Sequence, residues 1–485
     1  MPVPEVLRRL LTAPGPSGYE QAAAAVFRDA AAAFAAVTHD TVGSTVARVQ
    51  GTAGGPLLAV LGHIDEIGLI VHHIDDDGFL WFSGVGGWDP IILVGQRVQI
   101  ATRDGAVDGV VGKKPIHLLK EEERTQVPEL RNLHIDIGAA DGDEARRRVR
   151  IGDVAVIAGE PLEYPNGRVV ARSMDNRLGC FVAFEVARLV AEAGGAPGDV
   201  AAVAATQEEI TFAGARTTAF TLEPDIAIAV DVTFSTDAPG SEEKELGSHK
   251  FGTGPVVTRG STLDPQVFEL LHAAGTEAGI PFTVAASARY TGTDADAIHI
   301  SRGGVPTGVV SIPLRYMHSP VEMVQLDDVE NAAKLIVAFA NKLSSDLSRH
   351  VAPGVEDALA ALARDPGRYR LALVTGNLEP VARRKLAAAG IGHYFEPGQG
   401  GFGSDSEDRS ELPGVARARA GGWARERTVV IGDTPRDIAC ARADGVRVIA
   451  VATGMFSAEA LAEADAVVDG VRSVLPVLED FATAS

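Results

Sequence analysis

Six side chains between positions 63 and 318 could together hold two metal ions and activate a water molecule. The six candidates are His63, Asp175, Glu208, Glu209, Asp231 and His318. Imidazoles and carboxylates are the donors that zinc and similar divalent ions accept in proteins. Two imidazoles and three carboxylates can hold a pair of ions about 3.5–4 Å apart, which leaves Glu208 free to act on a bridging water.

Most of these residues follow a short apolar run that predicts a strand. The runs cover residues 56–61, 200–205, 226–230 and 309–312. Asp175 instead precedes residues 176–193, which predict a helix. In open α/β sheets the active site lies beyond the strand ends, so residues distant in sequence can meet there. We therefore predict that the six side chains converge at one edge of a sheet.

Each candidate also has an ordinary structural explanation. Asp175 could be the N-cap of the helix that follows it. The adjacent Glu208 and Glu209 could belong to a solvated surface, although they end an apolar strand, where surface charge is not expected. His63 and His318 could be packed, hydrogen-bonded histidines. The metal hypothesis therefore depends on all six residues together and not on any one of them.

The composition is that of an ordinary globular protein and excludes several functional classes. Of the 485 residues 46% are hydrophobic, which suits two to four domains. The net charge of −21 argues against nucleic acid or an anionic membrane as the main partner. No apolar run reaches the length of about 18 residues that a membrane span needs. The two cysteines, Cys180 and Cys440, lie far apart and predict a reducing cytoplasm without a disulfide framework.

The order of predicted elements divides the chain into four parts. Strands alternate with helices over residues 1–66 and 166–345, which predicts an α/β fold whose mostly parallel sheet is covered on both faces. Residues 67–165 contain short strands separated by Asp-Gly turns and predict a β-rich insertion without helices. A polar stretch at 344–353 predicts a linker to a second α/β unit, residues 354–485.

Five stretches of the chain carry a family resemblance. They are GHIDEIG, MDNRLG, QEE, VDVTFSTDAPG and GTDADAIHISRGGVPTGVVSIPLRYMHSP, at residues 62–68, 174–179, 207–209, 230–240 and 292–320. Together they resemble the TET-type metallo-aminopeptidases, also named glutamyl aminopeptidases or, misleadingly, endoglucanase M. The resemblance covers residues 4–345. It implies an enzyme that removes single residues from the N-termini of peptides, with a PDZ-like β-domain as its insertion.

The resemblance also implies a ligand set for two divalent ions. One ion is expected on Asp175, Glu209 and His318. The other is expected on His63, Asp231 and again Asp175, which would bridge the two ions. Zinc or cobalt suits these donors, and the general order of metal affinities does not decide between them.

Two further residues receive roles from the resemblance. Glu208 is expected to be the general base, and Asp65 is expected to orient the imidazole of His63 or its metal environment. The chain departs from the family at Asn176, which is Asp in many relatives, and at Thr211, which is commonly Gly. The first departure concerns the hydrogen bonds around the metal ligands, and the second concerns the backbone after the glutamate pair.

Family members form dimers that assemble into hollow tetrahedral dodecamers, so the resemblance implies a homo-oligomer. The insertion that such assembly needs is complete in this sequence. Residues 292–294 and 233–240 are expected to wall the pocket for the first side chain of the substrate. The preference of that pocket stays open, because acidic, leucyl and lysyl preferences all occur in the family.

The C-terminal unit resembles the second half of the haloacid-dehalogenase-type phosphatases. LVTGN at 373–377 is similar to their second motif, in which Thr375 would contact phosphate. VVIGDTPRDI at 429–438 is similar to the fourth, in which Asp433 and Asp437 would bind magnesium. Arg409 lies where a basic residue is expected. We predict strands at 370–374, 428–431 and 446–451 and a partial Rossmann-like module.

The first phosphatase motif, Asp-x-Asp-Gly-Thr after an opening strand, is absent before residue 354. Without its nucleophilic aspartate no covalent phospho-enzyme can form, so we expect no phosphatase activity. The missing strand is central in that family, between the strands of the second and fourth motifs. The module must therefore pair those two strands directly, borrow a strand or fail to order.

Three hypotheses follow for the whole chain. The leading one is a cytoplasmic aminopeptidase with two metal ions and a degenerate phosphatase-like tail. The second is a phosphatase whose missing half another chain supplies. The third is a non-catalytic assembly protein. Metal content and phosphate release from an aryl phosphate would distinguish them.

Overall fold

The computed structural model describes residues 2–343, 351–377, 379–406, 408–453 and 456–483. The chain forms two compact units, Met1–Ser344 and Ser345–Ser485. Most of the predicted linker, residues 344–350, lies outside the described residues. No helix in the described ranges is long and apolar enough to cross a membrane.

The first unit combines helices with a large sheet and a small barrel. Its helices are α1 (Glu5–Thr12), α2 (Gln21–Ala31), α3 (Pro90–Leu93), α4 (Gly142–Arg148), α5 (Met174–Glu192), α6 (Glu208–Thr211), α7 (Ala213–Leu222), α8 (Glu243–Leu246), α9 (Pro265–Ala278), α10 (Ala295–Ile298) and α11 (Leu326–Lys342). Its strands are β1 (Ala36–His39), β2 (Thr45–Val49), β3 (Gly55–His63), β4 (Gly68–Ile74), β5 (Leu80–Val85), β6 (Arg97–Thr102), β7 (Gly105–Gly112), β8 (His134–Asp136), β9 (Val154–Ile157), β10 (Leu162–Tyr164), β11 (Arg168–Ala171), β12 (Gly198–Ala205), β13 (Ile226–Phe234), β14 (Val256–Gly260), β15 (Thr283–Ser287), β16 (Thr307–Arg315) and β17 (Glu322–Gln325).

The large sheet is mixed and not mostly parallel. Its strand order is β1-β2-β12-β3-β13-β16-β17-β11-β10, with β14 beside β16 and β15 beside β14. β12, β3, β13 and β16 pair in parallel at the centre. Most of the outer strands pair antiparallel, and short turns join β1 to β2 and β10 to β11, whereas β14 and β15 pair in parallel. The prediction of a mostly parallel sheet is therefore correct only for its centre.

Helices cover both faces of this sheet, as the sequence predicts. Along β3, Leu58 and Val60 belong to one buried cluster, which includes residues of α1, α2, α5, α9 and α11. The alternate residues Ala59 and Leu61 belong to another cluster, which includes residues of α7 and α10. Side chains alternate between the two faces of a strand, so a strand buried on both faces is apolar throughout.

Glycines allow α5 to pack unusually close to the central strands. A Cβ atom at Gly62, next to the end of β3, would overlap the backbone of Gly179 in α5. A Cβ atom at Gly179 would overlap the carbonyl oxygen of Val230 in β13. The start of α5, which carries Asp175, is thereby held against the ends of β3 and β13.

The inserted segment after β3 forms a closed barrel. Its strands follow the order β4-β5-β8-β7-β6-β9. Leu80, Phe82 and Ile100 lie in its buried core, and Ala145 of α4 packs into the same core. The two short helices α3 and α4 were not predicted, since the strand pattern indicated no helix here. The PDZ-like arrangement and the bounds 67–165 stay predictions.

The second unit contains two small parallel sheets. Its helices are α12 (Val355–Ala363), α13 (Glu379–Ala388), α14 (Leu412–Arg419), α15 (Pro435–Asp444) and α16 (Val474–Thr483). Its strands are β18 (Val374–Thr375), β19 (Gly401–Phe402), β20 (Val429–Gly432), β21 (Arg447–Val451) and β22 (Ala466–Val468). β18 pairs with β19, whereas β20, β21 and β22 form a separate sheet.

The strands of the second and fourth phosphatase-like motifs do not pair within the described residues. β18 and β20 belong to different sheets, so direct pairing across the missing strand is excluded there. The predicted strand at 370–374 is also reduced to two residues, Val374–Thr375. A strand needs a hydrogen-bonded neighbour along its length, and the neighbour expected beside this one is missing from the chain.

Candidate metal centre

Four of the candidates lie at the ends of adjacent strands. His63 is the last residue of β3, and it is in register with Ala205, the last residue of the parallel strand β12. Glu208 and Glu209 follow β12 after a short turn and begin α6. His318 lies in the connection between β16 and β17. Neighbouring parallel strands end at the same edge of a sheet, and this brings the four side chains to one place.

Asp231 reaches the same place from within a strand. The prediction placed Asp231 after its strand, but β13 continues to Phe234 and Asp231 pairs with Ser311 of β16. The apolar run ends at Val230, whereas the backbone pairing of β13 with β16 continues to Phe234. Strand ends predicted from hydrophobicity alone are therefore too short here.

Asp175 lies between the two imidazoles. Its Oδ1 is 3.2 Å from Nε2 of His63, and its Oδ2 is 3.3 Å from Nε2 of His318. The backbone angles of Asp175 are not helical, and the side chain of Asn176, not that of Asp175, accepts from the backbone nitrogen of Gly179, so the N-cap explanation of Asp175 is wrong. One buried carboxylate thus presents a different oxygen to each histidine.

The two glutamates complete two groups of donor atoms. The Oε1 atom of Glu209 is 3.5 Å from Nε2 of His318 and is buried without a hydrogen-bond partner. The Oε2 atom of Glu208 is 3.6 Å from Nε2 of His63. Donor atoms lie within 4.8 Å of one another in each of two groups: His63, Asp175 and Glu209, and His63, Glu208 and Asp231. An orphaned buried carboxylate oxygen among such donors fits a cation.

Both imidazoles are oriented by contacts to their other nitrogen. The Nδ1 atom of His63 is 3.3 Å from Oδ1 of Asp65, and Nδ1 of His318 is 3.0 Å from the carbonyl oxygen of Gly87 in the barrel. A proton on Nδ1 leaves Nε2 as the lone-pair donor in both rings. The two Nε2 atoms then face Asp175, as metal-ligating histidines require.

Asp65 also fixes the glutamate pair. Its carboxylate accepts hydrogen bonds from the backbone nitrogens of Glu208, at 3.0 Å, and Glu209, at 3.1 Å. The hydroxyl of Ser17 donates a third. Asp65 therefore connects the N-terminal turn, the end of β3 and the start of α6 in one buried network.

Sequence reasoning missed Glu322, which is buried at the start of β17 with 2% of its surface exposed. Its carboxylate accepts from the backbone nitrogen of Asp175, at 3.2 Å, and of His318, at 2.9 Å. The only sequence signal was a carboxylate four residues after His318, next to the strand residues MVQ. Hydrogen bonds to backbone groups leave no motif, so that signal was weak.

Asn176 departs from the common aspartate without loss of hydrogen bonding. Its side-chain nitrogen donates to the carbonyl oxygen of Val230 at 2.8 Å, and its side-chain oxygen accepts from the nitrogen of Gly179 at 2.9 Å. An ionised aspartate can only accept and could not make the first bond. The amide therefore suits the packing of α5 on β13.

Burial and charge shift the pKa values of the cluster. Burial alone would raise the pKa of Asp175, but its hydrogen bonds with His318 and His63 lower it. Burial raises the pKa of Glu208 to about 10 and lifts the pKa of Asp231 well above its ordinary value. Burial alone would lower the pKa of His63, but the carboxylates around it raise it. The hydrogen bond with Asp175 raises the pKa of His318 to about 9. Protons held on buried carboxylates are those that a divalent cation displaces on binding.

The expected pocket wall at 292–294 is only partly accessible. Thr293 and Asp294 are buried, and both carboxylate oxygens of Asp294 are buried without a hydrogen-bond partner. The proposed metal ligands are buried as well, so burial does not decide the matter, and the pocket walls at 292–294 and 233–240 stay predictions.

The phosphatase-like residues do not form a group of three metal donors among the described residues. Asp437 completes a capping box at the start of α15, where its carboxylate accepts from the backbone nitrogen of Thr434 at 3.1 Å, and it pairs with Arg409 at 2.7 Å. Asp433 is exposed, and Thr375 accepts from the nearby Asn377. Within the described residues, both donor groups that could hold a metal lie in the first unit. The structure thus brings together Arg409 and Asp437.

Comparisons with known proteins place most of the chain in one family. The family model for M42 glutamyl aminopeptidases matches residues 43–335. A lysyl aminopeptidase of Pyrococcus furiosus is 34% identical over 346 residues, which are 70% of this chain and 97% of that protein. The crystal structure of a TET aminopeptidase from the archaeon Thaumarchaeota archaeon SCGC AB-539-E09 is 34% identical, with a TM-score of 0.67, covering 70% of this chain and 96% of the other. The Pyrococcus horikoshii TET1 peptidase is 30% identical over 69% of this chain and 98% of its own, with a TM-score of 0.62.

The C-terminal part matches different families. The model for haloacid dehalogenase-like hydrolases matches residues 312–442, and a second HAD-hydrolase-like model matches residues 412–474. Both resemblances seen in the sequence are thereby confirmed. The chain belongs to the M42 family of aminopeptidases, hydrolases that act on peptide bonds, and carries a haloacid-dehalogenase-like segment at its C-terminal end.

Proposed function

We propose that this chain is an aminopeptidase with two divalent metal ions that removes single residues from the N-termini of peptides. The observation that carries the proposal is the position of Asp175, whose two oxygens face Nε2 of His63 and Nε2 of His318 separately. A carboxylate in that position can bridge two ions. Glu208, Glu209 and Asp231 then surround the same space.

Each ion has a set of residues that would hold it. Asp175, Glu209 and His318 would hold one ion. His63, Asp231 and the second oxygen of Asp175 would hold the other. Zinc or cobalt suits these nitrogen and oxygen donors. The ions, when bound, would supply Lewis acidity that lowers the pKa of an attacking water and polarises the scissile carbonyl.

Glu208 would move the proton of the reaction. Its carboxylate takes a proton from water as the water oxygen bonds to the carbonyl carbon, and later gives that proton to the nitrogen of the leaving peptide as the carbon–nitrogen bond breaks. The hydrogen bond from its backbone nitrogen to Asp65 fixes the start of α6, on which Glu208 stands. Asp65 would therefore be a positioning residue and Glu208 the catalytic one.

The experiment that tests this function is hydrolysis of a panel of aminoacyl-p-nitroanilides by protein reconstituted with zinc or cobalt. We expect turnover that a chelator abolishes. In Glu208→Gln we expect kcat to fall by roughly 10²- to 10⁴-fold while the bound metal is retained. Glu269→Gln, at an exposed position on α9, is the matched control and should be unchanged.

Two outcomes would contradict the proposal. A folded and metal-loaded Glu208→Gln protein with full activity would remove Glu208 from the reaction. Turnover that persists after complete metal removal would remove the ions from it. The panel would also show which N-terminal residue is preferred.

We further propose that the C-terminal unit has no phosphatase activity. The support is chemical, since the nucleophilic Asp motif is missing from the sequence and Asp437 is already engaged by Thr434 and Arg409. Release of phosphate from p-nitrophenyl phosphate, with or without magnesium, would contradict this part of the proposal.

A homo-oligomer and peptide substrates complete the proposal. Its support comes from a relative, because the Pyrococcus horikoshii TET1 peptidase can assemble into a tetrahedron or a large octahedral shell. The insertion barrel of this chain is present as a closed unit of six strands in the described residues. Light scattering of the purified protein would test the oligomeric state.

A further inference from the structure

Glu322 contacts two of the proposed ligands of one ion through their backbones. Its Oε1 accepts from the nitrogen of His318 at 2.9 Å, and its Oε2 accepts from the nitrogen of Asp175 at 3.2 Å. The side chain is almost completely buried, and it is not part of either group of candidate metal donors. A buried carboxylate that accepts from two backbone nitrogens is held in one orientation, and it holds those two backbone segments in place.

His318 needs such support more than His63 does. His318 has a φ of 58°, in the left-handed region that favours glycine, and its side chain is 37% exposed. Tyr316, two residues earlier, also has a positive φ of 61°. His63 in contrast ends a regular buried strand and has a side chain that is 2% exposed. The hydrogen bond from the backbone nitrogen of His318 to Glu322 thus stabilises a segment whose backbone angles are unfavourable for residues other than glycine.

The His63 side of the centre has a different supporting carboxylate. Asp65 accepts from the nitrogens of Glu208 and Glu209, and it lies next to the Nδ1 atom of His63. Neither His63 nor Asp231 has a hydrogen bond with Glu322 among those of the described residues. Asp65 thus supports Glu209 as well as His63, whereas Glu322 is the carboxylate that accepts from the backbone of His318.

We propose that Glu322 is a positioning residue for His318 and Asp175, and that its loss weakens the metal position of Asp175, Glu209 and His318 more than the position of His63, Asp175 and Asp231. The reason is that Glu322 accepts from two proposed ligands of the first position but from only one of the second. The inference rests on the proposed two-ion function. It adds a residue that the family comparisons and the sequence motifs leave unassigned.

The test is a metal titration. Protein stripped with a chelator is titrated with Co²⁺, and bound cobalt per chain is followed by elemental analysis and visible absorption. We expect two ions in the wild type. Glu322→Gln has only one acceptor oxygen for two backbone donors, so one ion should bind roughly 10- to 100-fold more weakly and the other should be weakened by a clearly smaller factor. Glu330→Gln, a partly exposed residue of α11 that pairs with Lys334, is the matched control.

A second variant guards against misfolding. Glu322→Asp keeps the carboxyl group but is one methylene shorter and cannot reach both backbone nitrogens, so the same unequal weakening of the two ions is expected. Circular dichroism reports whether each variant is folded. Equal weakening of both ions in a folded variant would overturn the inference, and so would unchanged binding of both ions in either variant.

The outcomes for this inference and for the proposed function are separable. A wild-type chain that binds two ions but hydrolyses no peptide bond would contradict the proposed function, and the titration would still decide the role of Glu322. Peptide hydrolysis with an unequal weakening of the two ions in Glu322→Gln would support both. Hydrolysis by a wild type that binds a single ion would overturn the inference and the two-ion part of the function together.

Discussion

The two units of this chain differ in whether the strands that carry their motif residues lie side by side in one sheet, and with this in whether those residues come together. In the first unit β12, β3, β13 and β16 are consecutive neighbours, and the candidates near their ends share one small volume. In the second unit β18 and β20 lie in separate sheets, and Asp437 serves a helix cap and an ion pair. A motif becomes a site only when the sheet between its parts is continuous.

The largest effect is expected from removing the charge that both proposed metal positions share. Asp175→Asn should lose both ions and reduce peptide hydrolysis to the level of chelated protein, because no other carboxylate in the described part of the chain pairs with both imidazoles. The measurement is bound metal per chain together with turnover of the best p-nitroanilide. A variant that keeps two ions would contradict the claim that the converging residues of the first unit form a metal centre around Asp175. The matched control, Asp437→Asn, should leave both quantities unchanged.

Metal removal should destabilise the first unit in a way that depends on pH. Ions present at 1,000 times their dissociation constant stabilise a fold by about 4 kcal/mol per site. Without ions, the raised pKa values of His318, about 9, and Glu208, about 10, mean that the folded protein binds more protons than the unfolded chain. The His318 contribution is complete below pH 6.5 and is lost as pH rises through 9. That of Glu208 declines from pH 4.5 upward.

Thermal unfolding of the chelated protein should therefore occur at lower temperature at pH 9 than at pH 6. Reloading with zinc should raise the unfolding temperature more at pH 8 than at pH 6, because the ions displace bound protons. A chelated protein that becomes more stable as the pH rises from 6 to 9 would contradict the raised pKa values of His318 and Glu208. The transition of the second unit should not respond to the ions.

The close packing of α5 can be tested by adding a single methyl group. Gly62→Ala places a Cβ against the backbone of Gly179, so we expect destabilisation by about 1–3 kcal/mol and weaker metal binding through displacement of Asp175. Gly303→Ala is the control, since its Cβ would meet nothing within 4 Å. Chemical denaturation of both variants gives the difference. Equal stability of the two variants would show that α5 can move without cost.

The smallest effect is expected in the second unit. Asp437→Asn weakens the cap of α15 and its ion pair with Arg409, and it should cost about 1 kcal/mol of that unit's stability. Differential scanning calorimetry should show a shift in one transition only. A simultaneous loss of peptide hydrolysis would mean that the second unit takes part in the reaction, which would contradict the assignment of the active site to the first unit alone.

Much of the candidate site could be predicted because its residues combine two independent signals. His63, Glu208, Glu209 and His318 are metal-binding residue types that follow apolar runs, and those runs form adjacent strands. The bridging position of Asp175 was expected only from the family resemblance, since its orientation toward both imidazoles depends on the packing of α5 through Gly62 and Gly179. Such contacts between distant backbones have no sequence periodicity.

The errors in the predicted fold have physical causes of the same kind. The sheet is mixed because short hairpins add antiparallel strands at its edges, and hydrophobic runs do not encode strand direction. Asp231 lies inside β13 because backbone pairing with β16 continues past the last apolar residue. Glu322 was missed because its partners are backbone nitrogens. In each case the deciding interaction is a hydrogen bond of the main chain, which the side-chain pattern does not encode.

The most direct test of the account is anomalous X-ray diffraction at the zinc edge from crystals of the zinc-loaded protein. The account predicts two peaks, one on each side of Asp175, beside His63 and beside His318, and no peak beside Asp433 or Asp437. A single peak beside Asp175, or none, would contradict the two-ion centre. A peak at Asp437 would contradict the difference between the two units.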